Sequence, residues 1–281
     1  MTTHTSTLLS KWEDDPRTLM ARAVAIGRES CTCDGPYHVW WPILRAAGSV
    51  GIHRAREDDA LSAILRPLVA DGTRILIAGS GDAGTLCTLG RICDPLRPHF
   101  TVLDRCPAPL TLIQEFATER SISCRTLLSD LSRYSEESRW DIVIAHFTFQ
   151  FIAPEERFNV LERLSRSLVP GGTFICVNKE VPAISAADAS AAAEAWYQKS
   201  WRKVRAEGLE SALPAPVYDQ VLRRAAEGRV RRLMAISPIA ELVEGIRRAG
   251  LVLAGENVVG TTHAHAQAAE TCIILAASRP S

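Results

Sequence analysis

Apolar residues along this chain fall into short runs that alternate with amphipathic stretches, and the alternation predicts an architecture. From Glu57 the acids EDD open a helix whose apolar positions Leu61, Ile64, Leu65 and Leu68 share one face, and Asp71-Gly72 ends it. The run RILIAG follows at once as a first strand. FTVLD (100–104), CRTLLSD (124–130), DIVIAHF (141–147) and TFICVN (173–178) repeat the strand pattern. Between them lie amphipathic helices, such as the one carrying Phe158, Leu161, Leu164 and Leu168. Strands apolar on both faces and separated by helices predict a mostly parallel sheet covered on both sides. Ser237-Pro238 predicts an N-cap and a first-turn proline for a helix that runs to Gly250. The last two apolar runs, LVLAGENVV and TCIILAA, are joined by THAHAQAAE, too short for a helical crossover, so they are expected to pair antiparallel. The expected fold class is α/β: a doubly wound, seven-stranded, mostly parallel sheet closed by a C-terminal antiparallel hairpin.

Two segments break the alternation. Residues 1–56 show no strand pattern and are rich in Trp, Tyr, His and Arg, which predicts an N-terminal helical cap ahead of a main domain over residues 57–281. Residues 181–235 are Ala-rich, then Pro-punctuated, then Arg-rich, and are expected to form a helical insertion over the sheet.

Charge narrows the partners. The 281 residues carry 32 basic and 32 acidic side chains, a balance that offers no field to hold DNA or an anionic membrane surface. Nowhere do about 18 apolar residues run together, and the first residues carry Lys and acids where a signal peptide needs an apolar core; a cytoplasmic protein is expected. Eight cysteines, at 31, 33, 87, 93, 106, 124, 176 and 272, include no C-x-x-C pair, so neither a zinc site nor a redox dithiol is expected and no metal is assigned. His263 and His265 alternate along the last connection without a third ligand to join them.

The strongest chemical motif closes the first strand. Gly79-Ser80-Gly81-Asp82-Ala83-Gly84 matches G-x-G-x-x-G and sits between a strand and a helix, where bare backbone and free N–H groups can receive a ligand. Asp104 closes the second strand, 25 positions after Gly79, where an acid can take the hydroxyls of a ribose. These features fit a nucleoside cofactor or plain helix-on-sheet packing, and they do not choose between NAD and S-adenosylmethionine (SAM). Asp130 closes the third strand, where it is either an acceptor for an adenine amino group or a turn residue. The antiparallel ending favours SAM, because a dehydrogenase would continue with parallel units.

From about Leu61 to Ser278 the chain resembles the class I SAM-dependent methyltransferases, on the motifs ILIAGSGDAG, TVLD, LLSD, WDIVIAHFTFQFI and LVPGGTFI. The resemblance implies methyl transfer from SAM, with S-adenosylhomocysteine (SAH) as product. It implies that Gly79, Ser80, Gly81 and Gly84 line the methionine end, that Asp104 with Arg105 holds the ribose, that Asp130 and Leu131 flank adenine, and that His146 lies near the sulfonium. One departure stands out: the family carries an acid two residues before its first glycine, and here that position is Ile77. Recognition of the methionine end is therefore expected partly from the cap around Tyr37 and His38. The segment AHFTFQFIAPEERFNVLERLSRSLVPGG is also similar, over about 30 residues, to the carboxy-SAM synthases of tRNA wobble-uridine modification, taken here as shared ancestry of a strand and a helix.

Candidate chemistry follows from these positions. His146, at the end of the fourth strand, faces the crevice in which open α/β sheets bind ligands and is the candidate general base; the alternative is a hydrogen-bonded strand end. Tyr37, His38, Trp41, Trp196, Tyr197 and Trp201 are candidates for an aromatic-walled substrate pocket, against the alternative of ordinary core. Residues 199–232 hold nine basic side chains against four acidic ones, either a solvated helix face or an Arg fork for a carboxylate. AHFTF lacks the Asn/Asp-Pro-Pro-aromatic signature of enzymes that methylate DNA amino groups. The expected function is methylation of an O or N atom of a small metabolite, an acidic one included, by a protein with no nucleic-acid or membrane partner for which a homodimer through the cap is allowed. The alternatives are an NAD(P)-binding oxidoreductase and a methyltransferase-like protein that binds without catalysis.

Overall fold

The computed structural model describes residues 15–281 apart from 34, 51–53, 182–183, 213–214, 236–237 and 266–267. Strands β1 (Arg74–Ala78), β2 (His99–Asp104), β3 (Cys124–Leu128), β4 (Trp140–His146), β5 (Leu168–Glu180), β6 (Val252–His265) and β7 (Ala268–Ser278) form one sheet in the order β3-β2-β1-β4-β5-β7-β6. Pairings among β1 to β5 are parallel, and β7 lies antiparallel to both β5 and β6. A strand inserted antiparallel between the fifth and the edge separates this topology from the all-parallel dinucleotide-binding order.

The two-residue period of each strand sorts its side chains between the faces. Ile75, Ile77, Ile142, Ile144, Ile175 and Val177 point to one face, where Leu61 and Leu65 of α3 (Arg54–Leu65), Leu86 and Leu89 of α4 (Gly84–Cys93) and Ile113 and Phe116 of α5 (Pro107–Glu119) cover them. Leu76, Ala78, Val143, Ala145, Phe174 and Cys176 point to the other, under Leu161 and Leu164 of α6 (Arg157–Ser167) and Leu242 and Ile246 of α9 (Ile239–Arg248). Leu68 lies in the turn after α3 and is exposed, because the helix ends before it.

The cap and the insertion are not separate. Helices α1 (Pro16–Ser30) and α2 (Tyr37–Ala46) share a core with α7 (Ala186–Ala206) and α8 (Ala215–Ala235), in which Val24, Trp40, Ile43 and Leu44 meet Trp196, Tyr197, Val204 and Leu222. Gly27 lets α1 close on α2, since a Cβ there would stand 2.3 Å from the His38 carbonyl oxygen. Three strands, β5, β6 and β7, outgrow their sequence boundaries. β5 begins at Leu168, with a register shift between Trp140 and Ile142 and Gly171 at φ +76° taking up the Pro-Gly-Gly bend. Most of THAHAQAAE extends the β6–β7 ladder, so His263 and His265 belong to β6 and not to a loop. Ser237 lies outside the described residues; α9 follows with Pro238 at its N-cap.

Candidate functional site

The carboxyl ends of β1, β2 and β4 converge below the cap. β1 runs into Gly79, whose φ of +83° only a residue without a Cβ adopts freely; a Cβ would also stand 3.0 Å from the Thr148 side chain. The Thr148 hydroxyl donates to the Ala78 carbonyl (2.6 Å), fastening the turn after β4 to the glycine loop. Gly81 lies under the Trp41 indole, with 3.0 Å from its virtual Cβ to Nε1.

Asp82 holds the loop to the cap. Its carboxylate accepts from the Trp41 Nε1–H (3.1 Å), the Arg45 guanidinium (3.1 Å) and the Gly84 amide (2.7 Å), and so occupies the amino end of α4. Both partners of the Arg45–Asp82 pair are about 11% exposed, so the pair is largely shielded from solvent. Asp82 and Arg45 were not singled out from the sequence; Asp82 is the variable x of the glycine motif, and Arg45 reaches it only because α2 lies over α4's first turn.

Asp104 ends β2 with both oxygens engaged. Oδ2 accepts from the Ser80 amide (3.0 Å) and Oδ1 from the Cys106 amide (2.8 Å). Burial pushes its carboxyl above the usual range against the opposing pull of those two amides. Arg105 beside it is exposed. Asp130 follows β3, and its Oδ1 accepts from the Ser132 amide and hydroxyl, both at 2.8 Å, which lowers its pKa. That is the geometry of a turn residue, and among the described residues Oδ2 accepts no hydrogen bond. Leu131 packs against the α6 face of the sheet.

His146 ends β4, and its Nε2 is paired with a buried carboxylate of α3, Glu57. A carboxylate accepts, so Nε2 carries the proton. Sequence reasoning missed Glu57, because as part of EDD it reads as first-turn helix acid. Phe147, next to His146, stands at φ +54°, and its ring lies 5.8 Å from the Lys179 ammonium.

The six aromatic candidates divide. Tyr37 stacks on Trp41 (5.5 Å, 17°) and meets Phe151, in the turn after β4, edge-on at 5.3 Å, so these two stand at the junction of cap and sheet. Trp196 and Tyr197 are buried in the core that α7 shares with α2, where their rings supply the apolar face of α7. Trp201 packs at the edge of that core under Arg205, 4.9 Å from its ring. Of the basic residues in the insertion, Arg223 pairs with Asp219 (3.1 Å) and Arg205 with Glu210 (3.8 Å), the behaviour of a solvated helix face.

His38 turns away from the junction. Its Nδ1 lies 3.4 Å from Cys31 Sγ and 3.6 Å from Cys33 Sγ, and the Thr32 amide donates to Cys106 Sγ at 3.5 Å. The fold thus brings Cys106 beside Cys31, Cys33 and His38. Hydrogen bonds from the Cys31 and Cys33 thiols pull the Cys106 thiol far below its ordinary value. A cavity of about 430 Å³ lies on the α6–α9 face of the sheet, lined by Phe149, Arg157, Asn178, Glu241 and Arg248.

This strand order, with a glycine-rich turn after β1 and acids after β2 and β3, defines the class I methyltransferase fold. Residues 75–172 match the family model described as a methyltransferase domain. Among curated proteins, the chain is similar to the carboxy-S-adenosyl-L-methionine synthase of Geobacter metallireducens, 30% identical over 112 residues that cover 36% of this chain and 46% of the relative. It is also similar to the enzyme of the same name from Pseudomonas putida, 26% identical over 132 residues, 40% of this chain and 53% of the relative. The matched region thus spans about half the length of these relatives. Among solved structures, the N-methyltransferase NodS of Bradyrhizobium japonicum shares the fold at a TM-score of 0.51 and 12% identity, over 82% of this chain and 98% of that one. Phosphoethanolamine N-methyltransferase 2 of Haemonchus contortus, solved with SAM, shares it at 0.52 and 13% identity, over 78% and 52%. No helix among the described residues is long and apolar enough to cross a membrane.

Proposed function

We propose that the protein transfers the methyl group of SAM to an oxygen or nitrogen of a small metabolite, with His146 as general base and Glu57 as its positioning partner. The observation that carries the reading is the pairing of His146, at the end of β4, with the buried Glu57, at the carboxyl ends of the strands where Gly79, Ser80 and Asp104 also meet. The residues present suit the cofactor. A carboxylate at Asp104 accepts hydroxyl protons, Asp130 keeps one oxygen for an amino group, and the glycines keep the loop backbone bare. Tyr37 and Trp41 wall the methionine end of the site. The cap thereby does work for which the family uses the acid replaced here by Ile77, a fully buried core residue.

SAM supplies a methyl group on a positively charged sulfur, already activated for in-line displacement. The chain's task is to hold the acceptor at near-attack distance and to exclude water, which the cap helices above the strand ends do. As the acceptor's lone pair forms the new bond, His146 Nδ1 takes the proton of its hydroxyl, or of the alkylammonium that an attacking amine becomes. Glu57 keeps the imidazole in the tautomer that leaves Nδ1 basic and stabilises the imidazolium that results. The test is incubation with methyl-labelled SAM and a panel of hydroxyl, amine and hydroxy-acid metabolites. Label in a small-molecule product, with SAH in equal amount, is expected; no SAH with any acceptor under SAM that is shown to be bound would leave a binding protein instead.

A further inference from the structure

The described residues contain one gathering of ligand-type side chains that methyl transfer does not use. Cys31, Cys33, His38 and Cys106 each present one donor atom, and the four atoms lie within 4.8 Å of one another. We propose that Cys31, Cys33, His38 and Cys106 bind a structural Zn²⁺ ion that fastens the link between α1 and α2 to the first turn of α5.

The distances suit the ion. A tetrahedral site with Zn–S of about 2.3 Å and Zn–N of about 2.05 Å has S···N edges of about 3.6 Å. The two S···N separations here are 3.4 and 3.6 Å. Three thiolates with one imidazole form a closed structural donor set, with no position for water or substrate, and soft sulfur with nitrogen selects zinc over magnesium or calcium. The surroundings are prepared for thiolate charge. Cys106 occupies the N-cap of α5, where the helix dipole favours an anion, and the Thr32 amide already points at its sulfur. Binding releases the thiol protons to solvent, and His38 coordinates through Nδ1 as neutral imidazole.

Ala23 and Ile26 of α1, with Ala108 and Leu112 of α5, make only a small apolar contact around the cysteines. A metal staple there would add to the hydrogen bonds by which Asp82 holds the cap over the glycine loop. The Cys106 amide also donates to Asp104 (2.8 Å), so the ion would sit directly behind the acid that ends β2.

The test is metal analysis of full-length protein purified under reducing conditions from zinc-replete medium, followed by exchange of the metal for Co²⁺. About one zinc per chain is expected, and the cobalt form should show thiolate-to-metal charge transfer with the intense visible bands of a tetrahedral site. Cys33→Ser and Cys106→Ser should lose the metal, while Cys124→Ser, outside the cluster, should keep it. His38→Cys should also keep it, with the cobalt bands moved toward those of an all-thiolate site, which separates lost ligation from lost folding. Wild-type protein free of zinc both as purified and after reloading, or a Cys31→Ser/Cys33→Ser double variant with undiminished zinc, would overturn the assignment. So would a disulfide among Cys31, Cys33 and Cys106 that forms in the presence of zinc. None of these readouts depends on SAM binding or on turnover.

Discussion

Replacing His146 by alanine is expected to slow methyl transfer by roughly 10²- to 10⁴-fold, the range that a positioned general base contributes, while SAH affinity changes only a few-fold. The expectation follows from where the imidazole is held. β4 delivers His146 to the strand end, and the buried Glu57 carboxylate fixes its Nε2, so in the proposed reaction Nδ1 is the nitrogen that takes the acceptor's proton. Glu57→Gln keeps an oxygen that accepts the Nε2–H but removes the charge. The difference between a charged and a neutral hydrogen bond, about 1.4 kcal/mol, predicts a loss of roughly tenfold. SAH release under saturating SAM measures both variants. A His146→Ala enzyme as fast as wild type would mean that the histidine is only a strand-end residue and that acceptor positioning supplies the catalysis.

Replacing Asp104 by alanine is expected to weaken SAM and SAH binding roughly 100-fold. A carboxylate that accepts ribose hydroxyls makes charge-assisted hydrogen bonds, and losing them costs about 3 kcal/mol. Asp104 also accepts from the Ser80 and Cys106 amides, so its removal releases the glycine loop as well as the proposed ribose contact. Asp104→Asn separates the two effects, because it keeps the shape and one acceptor and should bind more tightly than the alanine variant. Calorimetry with SAH gives the affinities, and thermal unfolding of each variant shows that the fold persists. Wild-type affinity in Asp104→Ala would remove the acid from the cofactor site and leave it as a loop-holding residue.

What could be seen in the sequence was local. RILIAG, FTVLD and DIVIAHF announce their strands because a strand covered on both faces is apolar throughout, and the glycine motif and the acids at 104 and 130 lie at strand ends that a period of two marks. Antiparallel pairing of the last strands followed from a connection too short to cross over. What stayed hidden was set by topology. Glu57 meets His146 across 89 residues, because α3 packs on the face that β4 presents to it. Cys106 meets Cys31, Cys33 and His38 because β2 ends beneath the cap, and no spacing rule for metal ligands spans such a separation. Trp196 and Tyr197 illustrate a second limit. An aromatic pair on an amphipathic helix serves a pocket or a core equally well, and the presence of α2 opposite α7 made it a core.

Titration calorimetry of the wild-type protein with SAM, SAH and NAD tests the central claim most directly. Micromolar binding of SAM and SAH with no heat from NAD is predicted. Binding of NAD, or of none of the three, would contradict it and return the Gly79–Gly84 turn to a dinucleotide site or to helix-on-sheet packing.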